Sequence, residues 1–147
     1  MEVPSASIDA VEVADTAIEN INMNTNYFHC NNNINIIASD ILKITPNQSY
    51  DLIVSNPPYI HKDKIASLPP SVQHYDPENA LTDGGDGLTF YRRIFDLSDD
   101  ILNDGGRIIL EFDSKEQSQD IINIFSGFQY TIYNDFSDNP RAIELIR

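Results

Sequence analysis

Residues 50–60 read YDLIVSNPPYI, and this stretch decides the fold. The apolar run before Asn56 predicts a strand, and a nearly continuous apolar strand is typical of the centre of a parallel sheet, where both faces are buried. Pro57 and Pro58 have no N–H group to continue a sheet ladder, so we expect the chain to leave the sheet after Ser55. The sequence therefore predicts a buried strand with a rigid polar turn at its carboxyl end.

The rest of the chain alternates between strand and helix patterns. Strands are predicted over residues 7–13, 35–39, 50–55, 107–112, 130–133 and 142–146. Helices are predicted from Asp15 or Thr16 to about Asn24, over residues 88–102 and over residues 115–126, with a polar, proline-rich stretch up to Asp86. This alternation, with a hairpin at the end, predicts an α/β fold whose sheet is mainly parallel with one antiparallel edge strand.

Length, charge and residue content argue against several classes of protein. The chain has 147 residues, which favours a single domain. Its net charge of −14 disfavours binding to nucleic acid, and no apolar run is long enough to span a membrane. The single cysteine, Cys30, indicates a reducing compartment, for which we expect the cytoplasm. No metal site is expected, because His29, His61 and His74 lack the spacing of metal ligands.

Three polar residues fall at the ends of predicted strands: Glu12, Asp40 and Asn56. Ligands of open α/β sheets bind outside the carboxyl ends of the strands. A carboxylate such as Glu12 suits the two hydroxyls of a ribose, although a solvated acid near a helix start is an equally good interpretation. Asp40 alone is better interpreted as an N-cap or turn residue. The coincidence of all three favours a ligand site more than any one of them does.

The Asn56-Pro57-Pro58-Tyr59 turn has a more specific chemistry. An amide or aromatic amine nitrogen is a poor nucleophile, and it gains positive charge when it attacks a methyl group. The side-chain oxygen of Asn56 and the backbone carbonyl of Pro57 can accept both of its N–H hydrogens, and fixed dipoles of this kind stabilise the developing charge. Tyr59 offers a flat face to a planar group. The alternative is a rigid turn that only ends the strand, but the preceding apolar strand favours the functional interpretation.

The same residues resemble a known family. The stretch DLIVSNPPYI at residues 51–60 resembles the signature of amino-methyltransferases that use S-adenosylmethionine. Downstream, YDPENAL at residues 75–81, GGDGL at residues 84–88 and DNPR at residues 138–141 are similar to the release factor glutamine methyltransferases, the HemK or PrmC family. The family usually has Glu at the position of Asp76. The resemblance implies a Rossmann-like methyltransferase fold and methylation of the glutamine in the Gly-Gly-Gln loop of peptide chain release factors.

The resemblance also implies roles for individual residues. The substrate glutamine would be held by four consecutive residues: Asn56, Pro57, Pro58 and Tyr59. The methyl donor S-adenosylmethionine would be contacted at its ribose, adenine and methyl ends by Glu12, Asp40, Ile41 and Asn56. These roles are expectations that come from the family's motifs.

Departures from the family pattern are as informative as the matches. The first glycine is Gly84, so the family's glycine-rich loop and the strand before it are absent, as is its N-terminal helical domain. We therefore expect residues 1–147 to be a partial methyltransferase catalytic domain in which one edge of a central strand lies unpaired. Little or no activity is expected of this chain alone.

Two alternatives remain open at this point. One is an amino-methyltransferase acting on a nucleobase, since Asn-Pro-Pro-Tyr also serves that chemistry, although the acidic charge argues against it. The other is a non-catalytic role, either as a degenerate remnant or as one half of an enzyme whose N-terminal half is encoded separately.

Overall fold

The computed structural model describes residues 6–30 and 32–147. Within it the chain divides into two compact units, Met1–Thr45 and Pro46–Arg147. No helix of the described residues combines the length and apolarity needed to cross a membrane.

The first unit contains one strand–helix–strand motif. Strand β1 (Ile8–Glu12) is followed by helix α1 (Asp15–Tyr27) and strand β2 (Ile34–Ala38), and the two strands pair in parallel from Ile8 opposite Ile34 to Glu12 opposite Ala38. All three elements are predicted from the sequence. Parallel pairing of consecutive strands requires a crossover connection, and α1 supplies it.

The start and end of α1 differ from the prediction. Its N-cap is Ala14, not Asp15 or Thr16, because the Glu12 carboxylate accepts hydrogen bonds from the Val13 and Ala14 N–H groups at 2.8 Å and orders the entry to the helix. The helix also continues beyond Asn24 into the asparagine-rich segment. Thr25 in its last turn is buried, so packing outweighs the low helix propensity of asparagine.

The second unit begins with strand β3 (Tyr50–Ser55), as predicted. The following residues form three short helical segments that the sequence does not predict: a 3₁₀ helix (Lys62–Ser67), α2 (Pro70–Tyr75) and α3 (Glu78–Leu81). They are too short to show a helical repeat of apolar residues, which explains why the sequence pattern misses them.

Two longer helices and three strands complete this unit. They are α4 (Thr89–Ile101), β4 (Leu102–Glu111), α5 (Lys115–Ile124), β5 (Gln129–Asn134) and β6 (Pro140–Ile146). Helix α4 ends one residue earlier than predicted, because Leu102 already pairs with Tyr50 of β3. The pairing with β3 then shifts register, and Gly105 in this part of β4 has a positive φ of 73°.

The four strands of the second unit form one sheet in the order β3-β4-β6-β5. Strands β3 and β4 are parallel, and β6 is antiparallel to both of its neighbours, β4 and β5. The predicted α/β class and the final hairpin are confirmed, and the edge strand β5 is antiparallel to its neighbour. The strand with reversed direction is β6, which the short hairpin connection inserts between β4 and β5 rather than at the edge.

The core of the second unit lies between one face of this sheet and the helices α4 and α5. Its fully or nearly fully buried members are Tyr91, Ile94, Leu102, Ile108, Leu110, Phe112, Ile121, Phe125, Ile143 and Leu145. The helical spacing of the apolar residues on α4 and the alternation along β4 and β6 follow from this one-sided burial.

Strand β3 departs from the expectation of burial on both faces. Ile53 packs against the core, but the side chains of Leu52 and Val54 on the opposite face are 50% and 67% exposed. Within the described residues β3 pairs only with β4, so its other edge is unpaired, as expected for a central strand that lacks a neighbour. Strand β3 therefore has more apolar side chains than this unit buries.

Candidate active site

The Asn56–Tyr59 segment leaves the sheet at the carboxyl end of β3. Pro57 is buried and anchors the turn, whereas the Asn56 side chain is exposed. In the part of the chain that the structure describes, neither the Asn56 side chain nor the Pro57 carbonyl takes part in a hydrogen bond. Both predicted acceptors are therefore without a hydrogen-bond partner among the described residues.

Tyr59 is held at its hydroxyl end by β4. The Tyr59 hydroxyl donates a hydrogen bond to Glu111 Oε1 at 3.2 Å, and the hydroxyl of the fully buried Tyr91 donates to the Glu111 backbone carbonyl at 2.7 Å. Partial burial raises the pKa of the Tyr59 hydroxyl above its ordinary value, and the Glu111 carboxylate adds to this rise. Tyr59 is therefore a neutral hydrogen-bond donor at physiological pH, with a fixed ring.

Tyr59 is also held at its backbone carbonyl. Gln117 on α5 donates from Nε2 to the Tyr59 carbonyl at 2.9 Å and to the Gly87 carbonyl at 3.4 Å, while its Oε1 accepts from the Asp113 N–H at 3.0 Å. Gly87 has a positive φ of 78°, and a Cβ atom there would lie 2.2 Å from the Tyr59 carbonyl oxygen. The close approach of these two backbone segments requires glycine.

The loop before α4 is ordered by the Asp83 carboxylate. It accepts hydrogen bonds from the N–H groups of Gly85 at 2.8 Å and of Gly87 and Thr89 at 3.0 Å. Burial raises the pKa of Asp83, but these hydrogen bonds, led by those from Thr89, outweigh it and hold the pKa below its ordinary value. An ionised Asp83 is thus part of the folded loop.

Two backbone hydrogen bonds join this loop to the chain that follows Tyr59. Ile60 N–H donates to the Leu81 carbonyl at 2.9 Å, and Lys62 N–H donates to the Gly85 carbonyl at 3.0 Å. The loop that contains the second block of family-like sequence therefore holds the chain directly after the Asn56–Tyr59 turn.

The residues predicted to contact a methyl donor lie in both units. Glu12 and Asp40 follow the ends of the paired strands β1 and β2, so the structure brings them to one edge of that pair. Among the described residues, both hydrogen bonds to Glu12 fall on Oε1, and Oε2 remains available to a ligand. Ile41 is half-buried next to Asp40, and Asn56 lies in the second unit.

Asp40 has the turn role that the sequence favours when Asp40 is considered alone. Its Oδ1 accepts from the Leu42 N–H at 3.0 Å, and its Oδ2 pairs with Lys43 at 3.1 Å. These contacts, with the Leu42 hydrogen bond first, lower the pKa of Asp40. The carboxylate is ionised, and its turn presents Ile41 beside it.

The sequence predicts no individual role for four residues of this site: Gln117, Asp83, Gly87 and Glu111. One signal for Gln117 is present in the sequence. Ser114 and Gln117 have the Ser-x-x-Gln spacing of a capping box, and Ser114 Oγ accepts from the Gln117 N–H at 3.2 Å. That pattern predicts the start of α5 but not the contact with Tyr59, which depends on tertiary structure.

Comparisons with known proteins find methyltransferases. A model of the methyltransferase small domain family matches residues 1–86, which include β3 and the Asn56–Tyr59 turn. A release factor glutamine methyltransferase of Fusobacterium nucleatum is 36% identical over 146 residues, covering 97% of this chain and 41% of that protein. The chain therefore spans less than half the length of that relative.

Two solved structures show the same fold. A methyltransferase from Pyrococcus furiosus superimposes with a TM-score of 0.66 at 19% identity, covering 95% of this chain and 62% of that one. The N-methyltransferase NodS from Bradyrhizobium japonicum, in complex with S-adenosyl-L-homocysteine, gives a TM-score of 0.56 at 13% identity, covering 96% of this chain and 66% of that one.

The fold and the family match define the class as the Rossmann-like methyltransferases. Within this class the chain belongs to the methyltransferase small domain family. Its resemblance to the release factor glutamine methyltransferases, inferred from the motifs, is confirmed by its similarity to the Fusobacterium protein.

Proposed function

We propose that this chain provides the substrate site of an S-adenosylmethionine-dependent methyltransferase that modifies the side-chain amide of a glutamine in peptide chain release factors. The observation that carries the proposal is the pair of unengaged acceptors at the end of β3, the Asn56 side chain and the Pro57 carbonyl. Similarity to a release factor glutamine methyltransferase over 97% of the chain supports the choice of substrate.

The two acceptors define what this site does in the reaction. A primary amide has two N–H hydrogens, and one would donate to the Asn56 oxygen and the other to the Pro57 carbonyl. The nitrogen then faces the methyl group with its electron pair aimed, and positive charge that develops on it lies against two fixed dipoles. As the new N–C bond forms, the S–CH₃ bond breaks, its electron pair stays on sulfur, and the nitrogen loses one proton to solvent.

Tyr59 supplies the remaining contact. Its ring is fixed at the hydroxyl by Glu111 and at the carbonyl by Gln117, so it can limit the planar amide to one orientation. Burial of the neutral ring also lowers the local dielectric around the developing charge.

Glu12, Asp40 and Ile41 are proposed contacts of the methyl donor. The unengaged Oε2 of Glu12 suits a ribose hydroxyl, and the half-buried Ile41 suits the face of adenine. The donor would supply the electrophilic methyl group. These residues fit it chemically, because a carboxylate and an apolar face are what a nucleoside requires.

Full activity is proposed to require more of the enzyme than residues 1–147. The chain covers 41% of the Fusobacterium relative, and no glycine-rich loop occurs in its sequence before Gly84. We propose that further polypeptide supplies this loop and that the complete enzyme acts in the cytoplasm on release factors, not on nucleic acid or at a membrane.

A peptide-binding measurement tests the substrate assignment. A synthetic release factor peptide containing Gly-Gly-Gln is expected to bind the chain in calorimetry, and the same peptide with Gly-Gly-Glu is expected to bind at least about tenfold more weakly, because a carboxylate has no N–H to donate. Asn56→Ala should remove this preference. Asn47→Ala, at an exposed asparagine in the same unit without a side-chain hydrogen bond, is the matched control.

Equal binding of the two peptides would contradict the proposed substrate. A salt-sensitive complex with a DNA or RNA oligonucleotide, in the absence of peptide binding, would instead favour a nucleobase substrate.

A further inference from the structure

Gln117 makes more contacts than the start of a helix requires. It lies in the first turn of α5, half-buried, and its side chain joins three separate segments through Tyr59, Gly87 and Asp113. A glutamine amide has one acceptor oxygen and two N–H hydrogens. The oxygen is used on Asp113 N–H, and the two carbonyl contacts use the nitrogen.

Capping explains only half of this arrangement. In a capping box the side chain at this position accepts a hydrogen bond from backbone N–H groups at the helix start, and either glutamine or glutamate can do so. Oε1 accepts from the N–H of Asp113, the residue directly before the N-cap Ser114, and so serves the helix start. The amide nitrogen has no capping role, and it points to the carbonyl of Tyr59 at 2.9 Å. Only an amide at position 117 serves both.

The Tyr59 peptide is surrounded by groups that leave it little freedom. Gly87 approaches so closely that even a methyl group in its place would collide with the Tyr59 carbonyl oxygen. At the other end of the residue, the hydroxyl is bound by Glu111, whose own carbonyl is fixed by Tyr91. Tyr59 is therefore anchored by two different elements, at its hydroxyl by β4 and at its backbone carbonyl by α5.

We propose that Gln117 is a positioning residue of the substrate site: by binding the Tyr59 carbonyl it fixes the orientation of the Tyr59 ring and of the adjoining Pro57-Pro58 turn. The role of Gln117 in the reaction rests on the proposed function, in which the substrate amide lies against the oriented Tyr59 ring. The contact itself is independent of the identity of the substrate.

The variant Gln117→Glu separates positioning from capping. It keeps the acceptor for Asp113 N–H and the length of the side chain, but it replaces the donor with a carboxylate that faces the Tyr59 and Gly87 carbonyls. Gln119→Glu is the matched control, because it makes the same charge change at an exposed site on the same helix. Glu111 and Asp113 are unchanged in both variants, so the two variants differ only in where the new carboxylate lies.

Two measurements report on the proposal. Gln117→Glu should weaken binding of the Gly-Gly-Gln peptide about tenfold at pH 7, and Gln119→Glu should change it less than about twofold. Near the ordinary glutamate pKa of about 4.3, protonation of the introduced carboxyl restores an O–H donor, and affinity should recover relative to the control. In parallel, the nuclear Overhauser contact between the Tyr59 ring and the Glu111 side chain should weaken in Gln117→Glu at pH 7 and return in acid.

A second variant covers the case in which Gln117→Glu does not fold. Gln117→Asn keeps a neutral amide but is one methylene too short to reach the Tyr59 carbonyl, so it should show the same loss without recovery in acid. An unchanged Tyr59–Glu111 contact in the folded variants overturns the inference, whether or not peptide binds. Peptide that fails to bind the wild-type chain counts against the proposed function instead, and the ring contact then decides the inference alone.

Discussion

Gly87 has a left-handed backbone conformation, and its close contact with the Tyr59 carbonyl leaves no room for a side chain. Gly84 provides a control within the same loop, because its φ of 75° is nearly the same as the 78° of Gly87 but no atom lies within 4 Å of its would-be Cβ. Gly84→Ala should therefore cost only the strain of the left-handed conformation, about 1–2 kcal/mol. Gly87→Ala adds a collision with the Tyr59 carbonyl, and we expect about 1–3 kcal/mol more.

Urea denaturation of the two variants measures this difference. Equal free energies of unfolding would show that the backbone around Tyr59 can move aside, and the tight arrangement of this turn would then have no energetic basis. The exposed Gly84 should also leave peptide binding unchanged, whereas Gly87→Ala should weaken it even under conditions in which the protein is folded.

At the scale of elements, a polar network ties three strands together on the sheet face opposite to the core. Glu144 of β6 accepts from Arg107 of β4 at 2.6 Å and from the Tyr133 hydroxyl of β5 at 2.8 Å, although only 7% of Glu144 is exposed. The hydrogen bond from Tyr133, followed by that from Arg107, lowers the pKa of Glu144. This network holds the reversed strand β6 between its two neighbours.

The lowered pKa gives the network a definite pH dependence. A carboxylate whose pKa is depressed in the folded state contributes stability above its unfolded pKa of about 4.3 and loses it as the pH falls through the folded value. Glu144→Gln should therefore lower the urea midpoint at pH 7, and its difference from the wild type should shrink as the solution is acidified below about pH 4. Glu116→Gln, which removes an exposed carboxylate from α5, is the comparison variant. A difference that persists unchanged in acid would contradict this account.

The elements that the sequence predicts correctly are those in which the pattern of residues along the chain indicates which side chains are buried or where the element ends. Helix α4 and strand β6 have a clear repeat of apolar residues, and β3 ends at Ser55 because prolines follow. The three short helical segments between Lys62 and Leu81 have no such repeat, so their conformation depends on contacts with other parts of the chain.

The residues of the candidate site also fall into those that the sequence reveals and those that only the structure reveals. Asn56 and Tyr59 are recognisable because they are adjacent in sequence. Glu111 and Gln117 approach Tyr59 from 52 and 58 residues away, and nothing in the local pattern of either residue reveals that contact. Strand β3 is a different case, because its composition predicts burial on both faces while Leu52 and Val54 are exposed in this chain.

For the whole molecule, that excess of apolar surface agrees with the length comparison. Strand β3 has one unpaired edge within the described residues, and the chain spans 41% of the Fusobacterium relative. Both observations support the proposal that the working enzyme contains more polypeptide than residues 1–147. The missing part should be measurable as a low affinity for the methyl donor.

Calorimetry with S-adenosylmethionine tests this directly. The contact that the chain offers most clearly is the Glu12 carboxylate, and a charged hydrogen bond contributes about 1.5–3 kcal/mol, whereas a Kd of 1 μM requires about 8 kcal/mol. Backbone N–H groups of a glycine-rich loop, which would supply much of the remainder, have no counterpart before Gly84. We therefore expect the chain alone to bind the donor more weakly than micromolar. Glu12→Gln should abolish the remaining heat of binding, whereas Glu19→Gln, on the exposed surface of α1, should leave it unchanged. Adding the N-terminal part of the Fusobacterium relative should tighten binding of the donor by at least about tenfold. Micromolar binding by the chain alone would contradict this expectation and would show that Glu12 and its neighbours suffice for the donor.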